Sequence, residues 1–366
     1  MKALLAITAA LAALALPTSA SAAVRCDRVA SPGPGTAQQL LDSLRPGQTG
    51  CLRGGTYESS WDNVLHPRRG GGPGAPVTLR SYPGERARLV GIIDIPHGAD
   101  YVTLSGLDIE GTGEDGANTI KVYARGFVLE RSDVTNAWRG RSCLILGNNE
   151  GGGQAVVPIV SGNTFHECGD PANGNLDHGV YAANVLDGQI VGNVFYNSAA
   201  YTIQLYPNAQ GTRVAHNVID GSGRSMRGGI VFGGDGRFAS GGNLVERNVI
   251  VYAASGAITS WWEGPVGTGN LARDNCVWGS RGDNITHEWG FTAVANRVAK
   301  PLFVNRGARD YRLMPGSPCL RTVGDDRRVR RSRVRRMVTR RGRVEFRLRG
   351  VKAGQVRSKR IRFRAP

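Results

Sequence analysis

The 366-residue chain carries 46 Lys and Arg against 29 Asp and Glu, a formal net charge of +17, together with 52 glycines and only 7% aromatic residues. So much glycine with so few aromatics disfavours a helical bundle and favours many tight turns. The charge is uneven: residues 325–366 hold 18 basic and 3 acidic groups, while the other 324 hold 28 and 26. The body is nearly neutral, so no nucleic-acid partner is expected for it.

Met1-Lys2 gives a short positive start, residues 3–16 are apolar, Pro17 breaks the run, and Ala20-Ser21-Ala22 offers a small-x-small cleavage site. Residues 1–22 read as a secretory signal peptide, too short in its apolar run to anchor a bilayer. No later stretch is apolar for long enough to span, so a secreted protein is expected, extracellular or cell-wall associated, with no membrane span and acting as a monomer. Six cysteines follow: Cys26, Cys51, Cys143, Cys168, Cys276 and Cys319. No pair has close CxxC spacing, and an even count in an exported chain reads as disulfides. Sequential pairing is the expectation, because each bridge then closes a local loop; other connectivities remain open. A short amphipathic helix is expected over 37–44, with Leu40, Leu41 and Leu44 on one face.

A phrase then recurs: an apolar pair, two spacers ending in Asn, and another apolar pair. Its Asn positions are Asn163, Asn193, Asn217, Asn248 and Asn275, with Ser132 and Leu107 in that place in weaker copies. Steps of about 24–31 residues between short β-rich runs mark a solenoid. Asn tolerates the left-handed backbone of a sharp corner. Stacked asparagines can also hydrogen-bond up and down a file. They are read as scaffold. A second phrase precedes the later copies, as in Gly179-Val180-Tyr181-Ala182 and Gly229-Ile230-Val231-Phe232.

With both phrases in view, the chain resembles the pectate-lyase-like superfamily of right-handed parallel β-helices. Residues 51–57 resemble its opening strand, 76–85 its first rung, and 301–305 with 311–313 and 316–319 its closing segment. The likeness covers roughly residues 45–322 and implies an all-β, single-domain parallel β-helix over 23–322. It does not specify a reaction, since this fold hosts lyases, hydrolases, epimerases and phage tailspikes.

The resemblance implies a substrate lying along the outer face of the strands that carry the second phrase. If Ile120, Leu144, Val180, Ile203, Ile230 and Ile258 point inward, then Lys121, Ile145, Tyr181, Gln204, Val231 and Thr259 point outward. Two residues on, Tyr123, Tyr206 and Trp261 share a second row. Lys121 is one of two lysines in the body, the other being Lys300. It is a candidate base for β-elimination. His178 is a second candidate base, Tyr181 a candidate acid, and Arg227 a candidate neutraliser of a substrate carboxylate, with Arg141 and Arg224 as similar arginines. Asp170, Asn173, Asn175 and Asp177 are hard oxygen ligands at close spacing that would suit Ca²⁺. Asp177-His178 resembles the Asp-Pro-His motif of mannuronan epimerases, with Pro missing. Tyr123, Gln204, Tyr206, Trp261, Trp262 and Glu263 are candidate substrate contacts, the tryptophans by stacking on sugar rings; His287, Glu288 and Trp289 follow on the next loop. The strand phrases contain no carboxylate, which weighs against a glycoside hydrolase.

Residues 323–366 form an Arg-rich tail in which 343–349 and 360–364 alternate like half-buried strands. The tail is read as a partial β module or a disordered segment, and as an anchor on anionic cell-wall polymer. The function expected is a polysaccharide lyase or C5 epimerase acting on a uronic-acid-containing extracellular polysaccharide. The alternative is a non-catalytic glycan-binding β-helix. No cofactor beyond the Ca²⁺ candidate is implied.

Overall fold

A computed structural model describes residues 25–323 apart from 114–115, 174–176, 222–226 and 287–288, and for 60–62 the backbone alone. The expected signal peptide, the basic tail, Asn175, Arg224, His287 and Glu288 lie outside the described residues. Within them the chain winds into a right-handed parallel β-helix of about 8 turns. One turn runs Ile159–Ser161, Thr164–Cys168, Val180–Leu186, and the next runs Gln189–Val191, Val194–Ser198, Ile203–Gln210. Each strand pairs in parallel with its counterpart one turn on. Three faces result: a long sheet of 11 strands, a second face, and a third face bearing Ile120–Val122, Leu144–Leu146, Val180–Leu186, Ile203–Gln210, Ile230–Gly234 and Ile258–Trp262.

Alternation explains the core. Ile120, Leu144, Val180, Ile203, Ile230 and Ile258 stand in register along the third face and are wholly buried, as expected. On the second face Phe165 and Phe195 stack with ring centroids 4.9 Å apart. Burying each such side chain contributes about 1.5–3 kcal/mol. No single turn can enclose its own apolar residues, so the turns must stack.

The corner between the long sheet and the second face holds the amide file. Asn163, Asn193, Asn217, Asn248 and Asn275 line up, and Asn296 extends the row. The carbonyl oxygen of Asn217, for example, accepts from the backbone N–H and the side-chain amide of Asn193, at 2.9 and 3.0 Å. Its own amide donates to the Ile190 carbonyl and to Asn248. Every polar atom of such a side chain is satisfied. The expected reason for Asn needs correction, however. The left-handed residue is the one before it: Gly162, Gly192, His216, Arg247, Asp274 and Ala295, with φ between 53° and 68°. Non-glycine residues there pay roughly 1–2 kcal/mol of strain. The ladder bonds next to them offset that cost. A shorter file, Asn243 to Asn270, sits at another corner.

The ends are closed differently. Helix Thr36–Ser43 places Ala37, Leu40 and Leu41 over the first turns. The disulfides pair sequentially as expected: Cys26–Cys51, Cys143–Cys168 and Cys276–Cys319. Each ties neighbouring turns or, for the last, the closing segment, and such bridges restrict the unfolded chain. The antiparallel pair Phe303–Asn305 and Asp310–Leu313 folds back over the second face. There the fully buried Asp220 carboxylate accepts from Arg306 at 2.8 Å and from the Tyr311 hydroxyl at 2.9 Å. Arg309 lies 4.3 Å over the Tyr196 ring, which stacks on His166. This packing occupies the second face and leaves the third open. No described helix is long and apolar enough to cross a membrane.

Two outcomes follow from these contacts. Asn217→Ala strands two buried donors on Asn193, so it should destabilise by about 2–4 kcal/mol; Asn296→Ala, half-exposed at the end of the file, should lose much less. Urea unfolding of both checks this, and equal losses would mean the file is not cooperative. For His166, burial pulls the imidazole pKa down, but the 2.8 Å bond to Asp133 and the charges of Asp133 and Glu167 outweigh it, leaving it above the ordinary value. Its contribution is therefore complete below about pH 6.5 and lost as pH rises through the raised folded value. His166→Gln should destabilise more at pH 5.5 than at pH 9, as read by thermal melts; a pH-independent loss would count against this linkage.

Candidate functional site

The open third face carries the groove. Register places Asp94, Lys121, Ile145, Tyr181, Gln204, Val231 and Thr259 in one outward row, one residue per turn. Ile120 and Val122 are buried on either side of Lys121, so alternation alone turns the lysine outward. Polar loops leave the strands at their C-terminal ends and form walls. After Leu144–Leu146 comes a turn in which the Glu150 N–H donates to Asn148 Oδ1. After Ile230–Gly234 the Asp235 carboxylate accepts the N–H groups of Arg237 and Phe238, both at 2.8 Å. This side-chain-to-backbone turn fixes Arg237 at the rim. A bulge against Val180–Leu186 falls at Tyr206-Pro207, where two residues oppose one, and such bulges re-aim a side chain.

The resulting groove encloses about 780 Å³. Lys121, Arg141 and Arg237 line it, with Tyr123, Tyr181 and Tyr206, the carboxylates Glu150 and Asp235, and the amides of Asn63, Asn118, Asn148 and Asn149. None of the three cations forms an ion pair among the described residues, unlike Arg88, Arg213, Arg273 and Arg306, which are held by carboxylates. Charges left without a protein counter-ion in a concave, partly enclosed site attract anions strongly. The Tyr181 hydroxyl is pushed well up, first by burial and then by its neighbours Tyr206, Glu150 and Asp235. Tyr123 and Tyr206 are raised for the same first reason.

Of the expected residues, Lys121, Tyr123, Tyr181 and Tyr206 come together in this groove. His178 does not: it is 2% exposed, and burial pulls its pKa down to about 3, only partly countered by a bond to the Tyr201 backbone. It stays neutral and packs edge-on beneath Tyr181 at 5.3 Å. Asp177 is also interior. Its Oδ2 accepts from the Asp170 N–H and the Asn173 amide, which makes it a tie for its own loop, and burial raises its pKa. Asp170 Oδ1 takes the Ala172 N–H. Among the described residues no three His, Cys, Asp or Glu side chains gather as a metal-ion set. Arg227 is exposed at a bend away from the groove lining, its carbonyl accepting from Ala254 and Ser255. Gln204 keeps its row but is 9% exposed. Trp262 turns back and donates to the Trp289 carbonyl, while Trp261 and Glu263 remain exposed. Arg237, Asp94, Glu150 and the Asn148-Asn149 pair went unnoticed in the sequence. For all but Asp94, which lies on strand Ala87–Ile95, the signal is a polar insertion, 147–153 or 235–237, directly after a groove strand.

No family model matches the chain, and no curated protein matches it. Solved structures do. Pectate lyase Pel9A aligns with a TM-score of 0.50 at 12% identity, covering 81% of this chain and 91% of that one. An alginate lyase from Paenibacillus sp. str. FPU-7 aligns with a TM-score of 0.44 at 13% identity, covering 74% and 99%. PfbA, a surface adhesin of Streptococcus pneumoniae, aligns with a TM-score of 0.38 at 10% identity, covering 71% and 84%. The chain shares the right-handed parallel β-helix fold with the first of these, and at this identity the likeness extends to fold alone.

The free cations make a direct prediction. An Arg141→Ala/Arg237→Ala variant should keep its melting temperature, since neither guanidinium holds an ion pair, yet lose about tenfold or more in affinity for polygalacturonate at low salt. Calorimetric titration across ionic strength reads both; unchanged affinity would remove these arginines from anion binding.

Proposed function

We propose that the protein is an extracellular polysaccharide lyase acting on a uronic-acid-containing polymer, with the related C5 epimerisation as a variant of the same chemistry. The observation that carries this reading is the convergence of Lys121, Arg141 and Arg237, all without protein counter-ions, with Tyr181 in one groove. A uronate carboxylate held by Arg141 or Arg237 has its charge neutralised, which acidifies the adjacent C5 proton. The Lys121 amine removes that proton. In elimination the electron pair forms the C4–C5 double bond as the C4–O bond breaks, and the Tyr181 hydroxyl protonates the departing oxygen. In epimerisation the proton returns to C5 from the opposite side. Tyr181, with its pKa raised first by burial, stays protonated well above neutrality and so keeps the proton that the departing oxygen needs. Three disulfides fit the oxidising compartment in which such polymers occur.

Glu150 and Asp235 line the same groove and support a second reading, hydrolysis by two carboxylates. One assay separates the two. Incubation with pectate, alginate and unsulfated glycosaminoglycans should produce the ultraviolet absorbance of an unsaturated uronate, and Lys121→Ala should lower kcat by roughly 10²–10⁴-fold. New reducing ends without that absorbance, abolished by Glu150→Gln, would replace elimination with hydrolysis. Binding with neither signal, nor any product change by NMR, would leave a glycan-binding protein.

A further inference from the structure

Beyond the enclosed part of the groove the third face changes character. The register continues from Gly233 to Trp261, and Trp261 is 53% exposed on the outward side of its strand. Gly233 leaves this line open. A Cβ there would meet the Tyr206 ring at 2.7 Å and the Trp261 carbonyl at 2.6 Å, so the tyrosine ring lies directly over the glycine, towards Trp261. Tyr206, over Gly233, and Trp261, on the next strand, thus stand along one outward line. Trp262 anchors it: its ring fills the space above Gly267 and Gly290, and its indole N–H bonds to the Trp289 carbonyl at 3.0 Å.

The charge changes with the shape. Burial first, and then the negative charges of Glu263 and Asp235, raise the pKa of the Tyr206 hydroxyl. These carboxylates weigh against a carboxylate-bearing sugar beside Tyr206, whereas Lys121 and Arg141, on turns four or five strand steps from Trp261, attract one. A flat, uncharged pyranose face suits an exposed indole. Five strand steps of about 4.8 Å put Trp261 roughly 24 Å from Lys121 along the axis, within reach of a single oligosaccharide of six sugars.

We propose that the groove takes a heteropolysaccharide, in which a uronate lies against Lys121 and Arg141 while an uncharged sugar ring stacks on Trp261 beside Tyr206. The inference rests on the reading that a polysaccharide lies along this face; it does not depend on the chain being cleaved. It departs from the substrates named for the pectate and alginate lyases above, whose names denote acidic polymers.

The test is binding by the full-length protein, followed by tryptophan fluorescence and calorimetry. The probes are a hexasaccharide of alternating glucuronate and N-acetylglucosamine, and hexagalacturonate. The alternating hexamer should bind about tenfold tighter. Trp261→Ala should remove that margin, with less than about twofold change for hexagalacturonate, and Trp261→Phe should largely restore it. Arg141→Ala/Arg237→Ala should weaken both probes. Because Trp261 is exposed, its variants should fold with unchanged melting temperatures; a variant that melts early is replaced in the comparison by Trp261→Phe against Trp261→Leu. Equal or tighter binding of hexagalacturonate, equal losses on both probes, or no binding of either overturns the proposal. Trp261-dependent binding without unsaturated product would sink the elimination reading and leave this one standing.

Discussion

The structure depends on buried amides that leave no polar atom unpaired. At the corner after the long sheet the chain must turn sharply, and in the six turns from Asn163 to Asn296 it does so through a left-handed residue that in four cases is not glycine: His216, Arg247, Asp274 and Ala295. That strain is tolerable because in these six turns the next residue is Asn, whose side chain reaches a neighbouring turn and ties two backbones together. An unmade amide bond in such a place costs more than a made one contributes. The file therefore sets the register of the turns as well as adding stability, and register is what aligns every outward row.

That alignment explains how a short strand such as Ile120–Val122 can contribute to a site. Its single outward residue is uninformative alone. Stacked at the strand spacing between Asp94 and Ile145, Lys121 becomes one point in a continuous surface. The loops raise the walls, and a bulge places Tyr206. The closing segment contributes by what it covers: by spending Arg306, Arg309 and Tyr311 on the second face, it leaves the third as the open polar concavity. The groove cations differ from the arginines that are held by carboxylates, as where Glu246 is clasped by Arg213 and Arg273.

Much of the fold was legible because its signals are periodic. The asparagine file, the inward column of Ile120 to Ile258 and the sequential disulfides all follow from residues that repeat or alternate. Asn296 escaped because its step is shorter, and the left-handed position was placed one residue late because five different residue types share it. The candidate site was legible only in part. Lys121, Tyr123, Tyr181 and Tyr206 lie on strands, where alternation tells direction. His178 and Asp177 lie in a loop, where polarity suggested exposure but packing under Tyr181 and bonding to Asp170 and Asn173 turned them inward.

By itself the sequence determined the architecture: a solenoid of three-sided turns, its apolar lining, its amide corner and its bridges, because each is a local pattern that stacking merely repeats. Only the tertiary structure decided which loop residues face one another across the groove, that Arg141 and Arg237 rather than Arg227 share it with Lys121, and that Trp261 is displayed while Trp262 is packed. Those outcomes depend on how loops of unequal length settle against neighbouring turns, and no period in the chain encodes that.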